Sequence, residues 1–248
     1  MTFHRLVLAL SGIATVLSPA GASAAPACTA RSGPGIPAVV ELYTSEGCSS
    51  CPPAEHWLSG LHGQAGVVTL AFHVDYWDSL GWKDRFAQPG FTQRQNASLR
   101  AVGARFAYTP QVVVDGRDTP DWHARPAPAA HAAAPASVDL QLAQAPDGLA
   151  LTVSPHADAP AALSGYVAVV DDGLQTRVGA GENRGATLHQ DAVVRELLPW
   201  RVAGRQQATL RFASRSPVEP GTTRRWVAVA TDETSGRPVQ ALELACAR

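Results

Sequence analysis

From Ala38 the chain runs AVVELYT, a short, mostly apolar and β-branched stretch of the kind that forms a buried strand. It leads into Cys48-Ser49-Ser50-Cys51, and after Pro52-Pro53 the segment AEHWLSGLHG sets Ala54, Trp57, Leu58 and Leu61 at helical spacing, with Gly60 and Gly63 as stop signals. GVVTLAFHVDYWD predicts a second buried strand that turns polar at His73 and Asp75. The stretch from Gly81 to Arg105 is too long for a plain loop, and FTQRQNASLRAVGARF puts Leu99, Val102 and Phe106 on one helical face. YTPQVVVDG then supplies Thr109-Pro110, a third strand over Gln111 to Val114 and a turn at Asp115-Gly116. Alternating strands and helices in this order predict an α/β sheet with parallel members over residues 36–121.

The pattern changes at ARPAPAAHAAAP, where alanine and proline recur without a period. Three prolines oppose a helix there, so residues 122–136 read as a linker. Beyond it, residues 137–248 predict a β-rich, sandwich-like domain. SVDLQLAQAPDGLALTVSP reads as a hairpin around Pro146-Asp147-Gly148, and GYVAVVDD, ATLRFAS and RRWVAVATD are further strand candidates. QDAVVRELLPW is predicted as one helical interruption.

The first residues change the compartment. His4 and Arg5 precede an apolar run from Leu6 to Leu17 and small residues at Ala22-Ser23-Ala24, the layout of a cleavable export signal over 1–24. The expected mature chain has no segment near the ~20 apolar residues that a membrane span needs. A periplasmic or secreted location follows, and there disulfides persist. Of the three pairings open to Cys28, Cys48, Cys51 and Cys246, the one expected joins Cys28 to Cys246, which bracket the mature chain, and Cys48 to Cys51. A formal net charge of −1 with interspersed signs, and no basic stripe, argues against a nucleic-acid partner.

A dithiol catalyst needs one ionisable sulfur that attacks and a second within reach that resolves the mixed disulfide. Cys48 and Cys51, on a turn entering a helix, suit that chemistry, and Ser45-Glu46-Gly47 is expected to keep the Cys48 sulfur near the surface. The prolines weaken the site, because a helix starting at Pro52 or Pro53 aims fewer N–H groups at a Cys48 thiolate.

Strand, C-x-x-C, helix and a later Thr-Pro entering a strand resemble the thioredoxin fold. That resemblance implies Cys48 as nucleophile, Cys51 as resolving thiol, and Pro110 as a cis-proline preceded by Thr109. The longer set VVELYTSEGCSSCPPAE, HVDYWDSLGWKDRF, YTPQVVVDG and GENRGATLHQDAVVREL is similar to the exported thioredoxin-like family catalogued as domain of unknown function 1223, which brings no established substrate. Departures from ordinary thioredoxins are Gly47 in place of a tryptophan, Ser-Ser between the cysteines, and Leu42 where a buried acid stands. Glu41 is adjacent, but the period of two sends it to the other face.

Proton transfer therefore falls to Asp75 or His73, and Trp77 and Trp82 in HVDYWDSLGWKD are candidate walls of a substrate groove. GENRG reads as a tight turn. Structural zinc lacks a second ligand pair, and neither a metal nor another cofactor is expected. The function expected is thiol–disulfide exchange with thiols or disulfides of exported proteins. The alternative is a non-catalytic partner-binding module, or a copper-handling one in which His73 joins the two cysteines.

Overall fold

The computed structural model describes residues 28–101, 106–129 and 131–246. The export signal expected over 1–24 and the helical position of Val102 lie outside those residues. Chain order begins with β1 (Thr29–Arg31), β2 (Gly35–Ile36), β3 (Ala38–Thr44), α1 (Pro52–Leu61), β4 (Val67–His73), α2 (Pro89–Ala101), β5 (Gln111–Val114) and β6 (Arg117–Asp118). It continues through β7 (His131–Pro135), β8 (Val138–Ala145), β9 (Gly148–Pro155), β10 (Ala162–Asp172), β11 (Leu174–Arg177), β12 (Thr187–Gln190), β13 (Val193–Ala203), β14 (Ala208–Phe212), β15 (Thr223–Asp232) and β16 (Pro238–Ala245). Single 3-10 turns occur at Asp78–Leu80 and Trp122–Ala124.

An eight-stranded sheet in the order β16-β15-β10-β13-β4-β3-β5-β6 runs through the molecule. β3 and β4 are parallel, with Ala38 opposite Val67 and Thr44 opposite His73, whereas β5 is antiparallel on the other side of β3. β13 then takes the free edge of β4 in parallel at Val193 and Ala71, where the Ala71 N–H donates to the Ala192 carbonyl at 2.7 Å. This overturns the expected fold class of an α/β thioredoxin-like domain followed by a β-rich C-terminal domain. Among the described residues strands hold 45% and helices 13%, with two α-helices. The physical reason is the open β4 edge: pairing it with β13 satisfies its backbone groups and fuses strands from both halves into one sheet.

The core follows the sheet. Tyr166, Ala168 and Val170 of β10 join Val40, Leu42, Leu70 and Phe72 in one buried cluster. Leu163 and Val167, offset by one along the same strand, instead pack against Leu140, Leu151 and Val153 of the four-stranded sheet β1-β8-β9-β14. The loop between β8 and β9 is Pro146-Asp147, with Ala145 opposite Gly148.

Three local expectations need correction. QDAVVRELLPW runs from the last residue of β12 into the first eight residues of β13 and is not a helix, because its apolar residues serve two cores at once, Val194 and Leu197 on one side and Leu198 and Trp200 on the other. Pro199 is tolerated there since β13 contacts β4 only near Val193, leaving the later outer edge unpaired. Phe106 lies beyond α2 and is 81% exposed, while Leu99 on the same expected stripe is buried. The segment expected as a linker, 122–136, carries the Trp122–Ala124 turn and β7, which pairs with β2.

The helices sit on opposite faces of the parallel strands. Thr44 of β3 donates to Glu55 of α1, whereas Glu41, an odd number of positions away, receives Arg94 of α2 and the Tyr166 hydroxyl.

Candidate functional site

β3 delivers Cys48 to the carboxyl end of the sheet. The Cys48 N–H donates to the Ser45 carbonyl at 3.1 Å and the Cys51 N–H to the Cys48 carbonyl at 3.2 Å, a tight turn that holds the two Cα atoms 5.4 Å apart and their sulfurs in a disulfide. α1 begins at Pro52, so Cys51 is its N-cap, without a side-chain capping bond. Cys51 takes helical angles, φ −80° and ψ −35°, against the bias on a residue preceding proline. Its carbonyl is the first helical acceptor, receiving the N–H groups of Ala54 and Glu55.

Both cysteines are 0% exposed, so the Cys48 sulfur is not at the surface as the sequence implied. A segment from far along the chain meets the turn that carries them. β11 and β12 form a separate two-stranded hairpin whose tip, residues 179–185, reaches the C-x-x-C turn. The Glu182 carboxylate accepts the Ser49 N–H at 3.0 Å and the Ser49 hydroxyl at 2.7 Å. The Asn183 amide donates to the carbonyls of Glu46 and Cys48, each at 2.9 Å. Trp82 supports this tip: a Cβ on Gly179 would lie 3.2 Å from its ring and one on Gly181 3.1 Å from its Cβ. Gly181 also needs its φ of +72°.

Beside the turn lies a cluster of buried ionisable groups, Glu46, Glu55, His73 and Asp84. His73 Nδ1 meets Asp84 Oδ2 at 2.7 Å, and the same oxygen accepts the Glu46 N–H at 2.8 Å. The Glu46 carboxylate takes Trp82 Nε1 at 2.8 Å and Gln190 Nε2 at 3.3 Å. Thr44, opposite His73 in the β3–β4 register, donates to Glu55 at 2.6 Å, and Glu55 stands one helical turn after Cys51.

Burial is the largest influence on each of three groups, with differing outcomes. It raises the Glu55 carboxyl above its ordinary value, only partly offset by His73 and the Thr44 hydroxyl. For His73 burial works downward, but Asp84, Glu55 and Glu46 together carry the imidazole above its usual value. For Asp84 burial works upward, yet His73 and the N–H groups of Glu46 and Phe86 leave it below the usual range.

The sequence candidates divide. His73 lies inside the cluster, and its Nε2 has no partner among the described residues. Asp75 lies apart, its carboxylate accepting the Thr92 hydroxyl at 2.5 Å. Trp77 Nε1 donates to Thr109 at 2.8 Å, tying the Thr109-Pro110 loop, whose peptide bond is cis, to the dithiol turn. Trp77 also explains Gly47, where a Cβ would stand 3.3 Å from that of Trp77. Cys28 and Cys246 form the second disulfide, joining the chain just before β1 to the end of β16. Among the described residues no group of three or more His, Cys, Asp or Glu side chains is arranged to hold a metal ion.

Glu46, Glu55, Asp84, Glu182 and Asn183 escaped the sequence reading. Glu55 had one signal, an acid beside Ala54 on the apolar side of α1. Glu182 and Asn183 lay in the GENRG turn, whose glycines advertised backbone geometry alone.

A family model described as "Protein of unknown function (DUF1223)" matches residues 39–230. No curated protein matches the chain. Two solved structures share its fold. The crystal structure of protein AGR_C_4864 from Agrobacterium tumefaciens is 22% identical, covering 85% of this chain and 94% of that one with a TM-score of 0.60. HBP35 of Porphyromonas gingivalis is 16% identical, covering 86% and 76% of the two chains with a TM-score of 0.57.

Proposed function

The chain belongs to the DUF1223 family, which brings no function by inheritance, and from the site itself we propose a thiol–disulfide oxidoreductase acting on exported proteins. The single observation that carries this reading is the setting of Cys48–Cys51: a disulfide at a strand's carboxyl end and a helix's start, backed by buried proton-holding groups. A structural bridge closing so short a loop contributes little chain-entropy stabilisation and gives no reason for that setting.

In the reducing direction, the Cys48 thiolate attacks a partner disulfide, forming a mixed disulfide and releasing one partner thiolate, which takes up a proton. Cys51 loses its proton and attacks the Cys48 sulfur, releasing the second partner thiol. The protein ends oxidised, with its pair closed, and the partner gains two electrons and two protons. The oxidising direction is the reverse. Glu55, buried one helical turn after Cys51 and raised above its ordinary value, is a group able to take the proton that Cys51 gives up. The export signal expected over residues 1–24 favours a periplasmic or secreted setting, and among the described residues no helix is long and apolar enough to cross a membrane.

The test is dithiothreitol-driven reduction of insulin. The wild-type protein is expected to accelerate it, Cys48→Ser to abolish the acceleration, and Cys51→Ala to accumulate a mixed disulfide visible by mass spectrometry. Full activity in Cys48→Ser would sink the proposal.

A further inference from the structure

The Cys48–Cys51 pair poses an access problem. An exchange reaction needs a line of approach to a sulfur, and both cysteines are 0% exposed. Ser49 and Ser50 between them are exposed, so the sulfurs lie just under the surface and not deep in the core.

The hairpin that carries the 179–185 tip stands outside the two large sheets, and its strands β11 and β12 pair only with each other. The tip is braced internally, with the Gly185 N–H donating to the Val178 carbonyl at 2.8 Å and the Ala186 N–H to the Asn183 carbonyl at 3.0 Å. The hairpin base is held separately: Arg85 donates to Thr176 and the Gln175 carbonyl, each at 3.0 Å, and Gln190 to Glu46. Contact with the dithiol turn itself rests on the side chains of Glu182 and Asn183.

We propose that the 179–185 tip is a gate over the Cys48–Cys51 disulfide, latched by Glu182 on Ser49 and by Asn183 on the Cys48 carbonyl, and opened when a partner takes over those hydrogen bonds. The Ser49 side chain and amide hold the Glu182 carboxyl below its ordinary value, so the latch is ionised at neutral pH and its bonds are charge-assisted. They are also exposed, so an incoming segment can compete for them without first unfolding the core. The Ser49 N–H needs an acceptor and the Cys48 carbonyl a donor, which an extended peptide strand supplies from its backbone. The gate gives the proposed oxidoreductase its selectivity, and it rests on that reading only for its use; the closure itself is a property of the disulfide.

The experiment is reduction of the oxidised protein by tris(2-carboxyethyl)phosphine, which yields two thiols and the phosphine oxide, its oxygen coming from water. Both disulfides are followed by thiol labelling and peptide mass spectrometry. The half-buried Cys28–Cys246 pair is the internal reference. Glu182→Ala is expected to accelerate reduction of Cys48–Cys51 about tenfold while leaving Cys28–Cys246 unchanged. Ser49→Ala, which keeps the N–H bond to Glu182, should accelerate it less, and the double variant no more than Glu182→Ala alone.

An unchanged Cys48–Cys51 rate in Glu182→Ala, or equal acceleration of both disulfides, overturns the gate. Insulin reduction separates the two ideas. A gate that opens in a protein without reductase activity refutes the oxidoreductase alone, and a working reductase with an unlatched, unaltered disulfide rate refutes the gate alone.

Discussion

Asp84 shows how much one carboxylate organises here. One oxygen receives His73 and the Glu46 N–H, and the other receives the Phe86 N–H at 2.8 Å, so removing it disturbs the floor of the dithiol turn at several points. The pair with His73 also fixes a pH dependence. His73 is raised above its ordinary 6.5, so its contribution is complete below that value and is lost as pH rises through the folded one. Asp84 is depressed below its ordinary 3.8, so its contribution is present above that value and is lost as pH falls through the depressed one. Their joint stabilisation therefore holds across the window between the two ordinary values. Asp84→Asn is expected to cost about 3 kcal/mol inside that window and to flatten the alkaline limb. Urea denaturation at a series of pH values reads both effects, and a loss of equal size at every pH would contradict the ion-pair account. His73 was visible in the sequence because it ends an apolar strand. Asp84 was not, since nothing in WKDRF separates a buried acid from a solvated one.

At the scale of elements, periodicity located single elements such as β3, β4, α1, β8 and β9 but not the architecture, which depends on long-range pairing. β3, β4 and α1 could be read because each buries a face on near neighbours, and the start of α1 at Pro52 was legible from proline chemistry. β13 was misread because its leucines and Glu196 suit a helix equally well, and only its pairing with β10 and β4 decides the matter. The Glu182–Ser49 contact spans 133 residues of sequence, beyond any local signal. α1 itself makes a separable prediction. Pro52 and Pro53 remove two N–H donors from the helix start, and with them part of the field that stabilises a thiolate. Replacing both with alanine is expected to speed iodoacetamide alkylation of reduced Cys48 at neutral pH about two- to fivefold, matching the ~0.3–1 kcal/mol of such helix-end effects. An unchanged rate would mean that the helix start contributes nothing to this thiolate.

The whole molecule turns on whether its two halves are one cooperative unit, and Arg225 is where that can be measured. This side chain of β15 is 2% exposed, yet it bridges elements from both halves. It donates to Asp172 of β10 at 3.0 Å, to the Thr69 carbonyl of β4 at 3.0 Å, and to Glu243 of β16. Asp172 in turn receives the Ala192 N–H at 2.7 Å, beside the point where β13 joins β4. The alanine- and proline-rich stretch suggested a boundary because composition records local flexibility, while the shared sheet and shared core are recorded only in contacts between distant strands. Arg225→Ala leaves Asp172 buried with its main cation gone, which costs about 3–5 kcal/mol. Because the Thr69 carbonyl and the β13–β4 junction lie next to it, that loss should appear in one transition shared by both halves. Denaturation followed by tryptophan fluorescence and by far-ultraviolet circular dichroism should therefore give coincident curves, displaced together in the variant. Two separated transitions, with only the one belonging to residues 137–248 displaced, would show instead that the eight-stranded sheet joins two independently folding units.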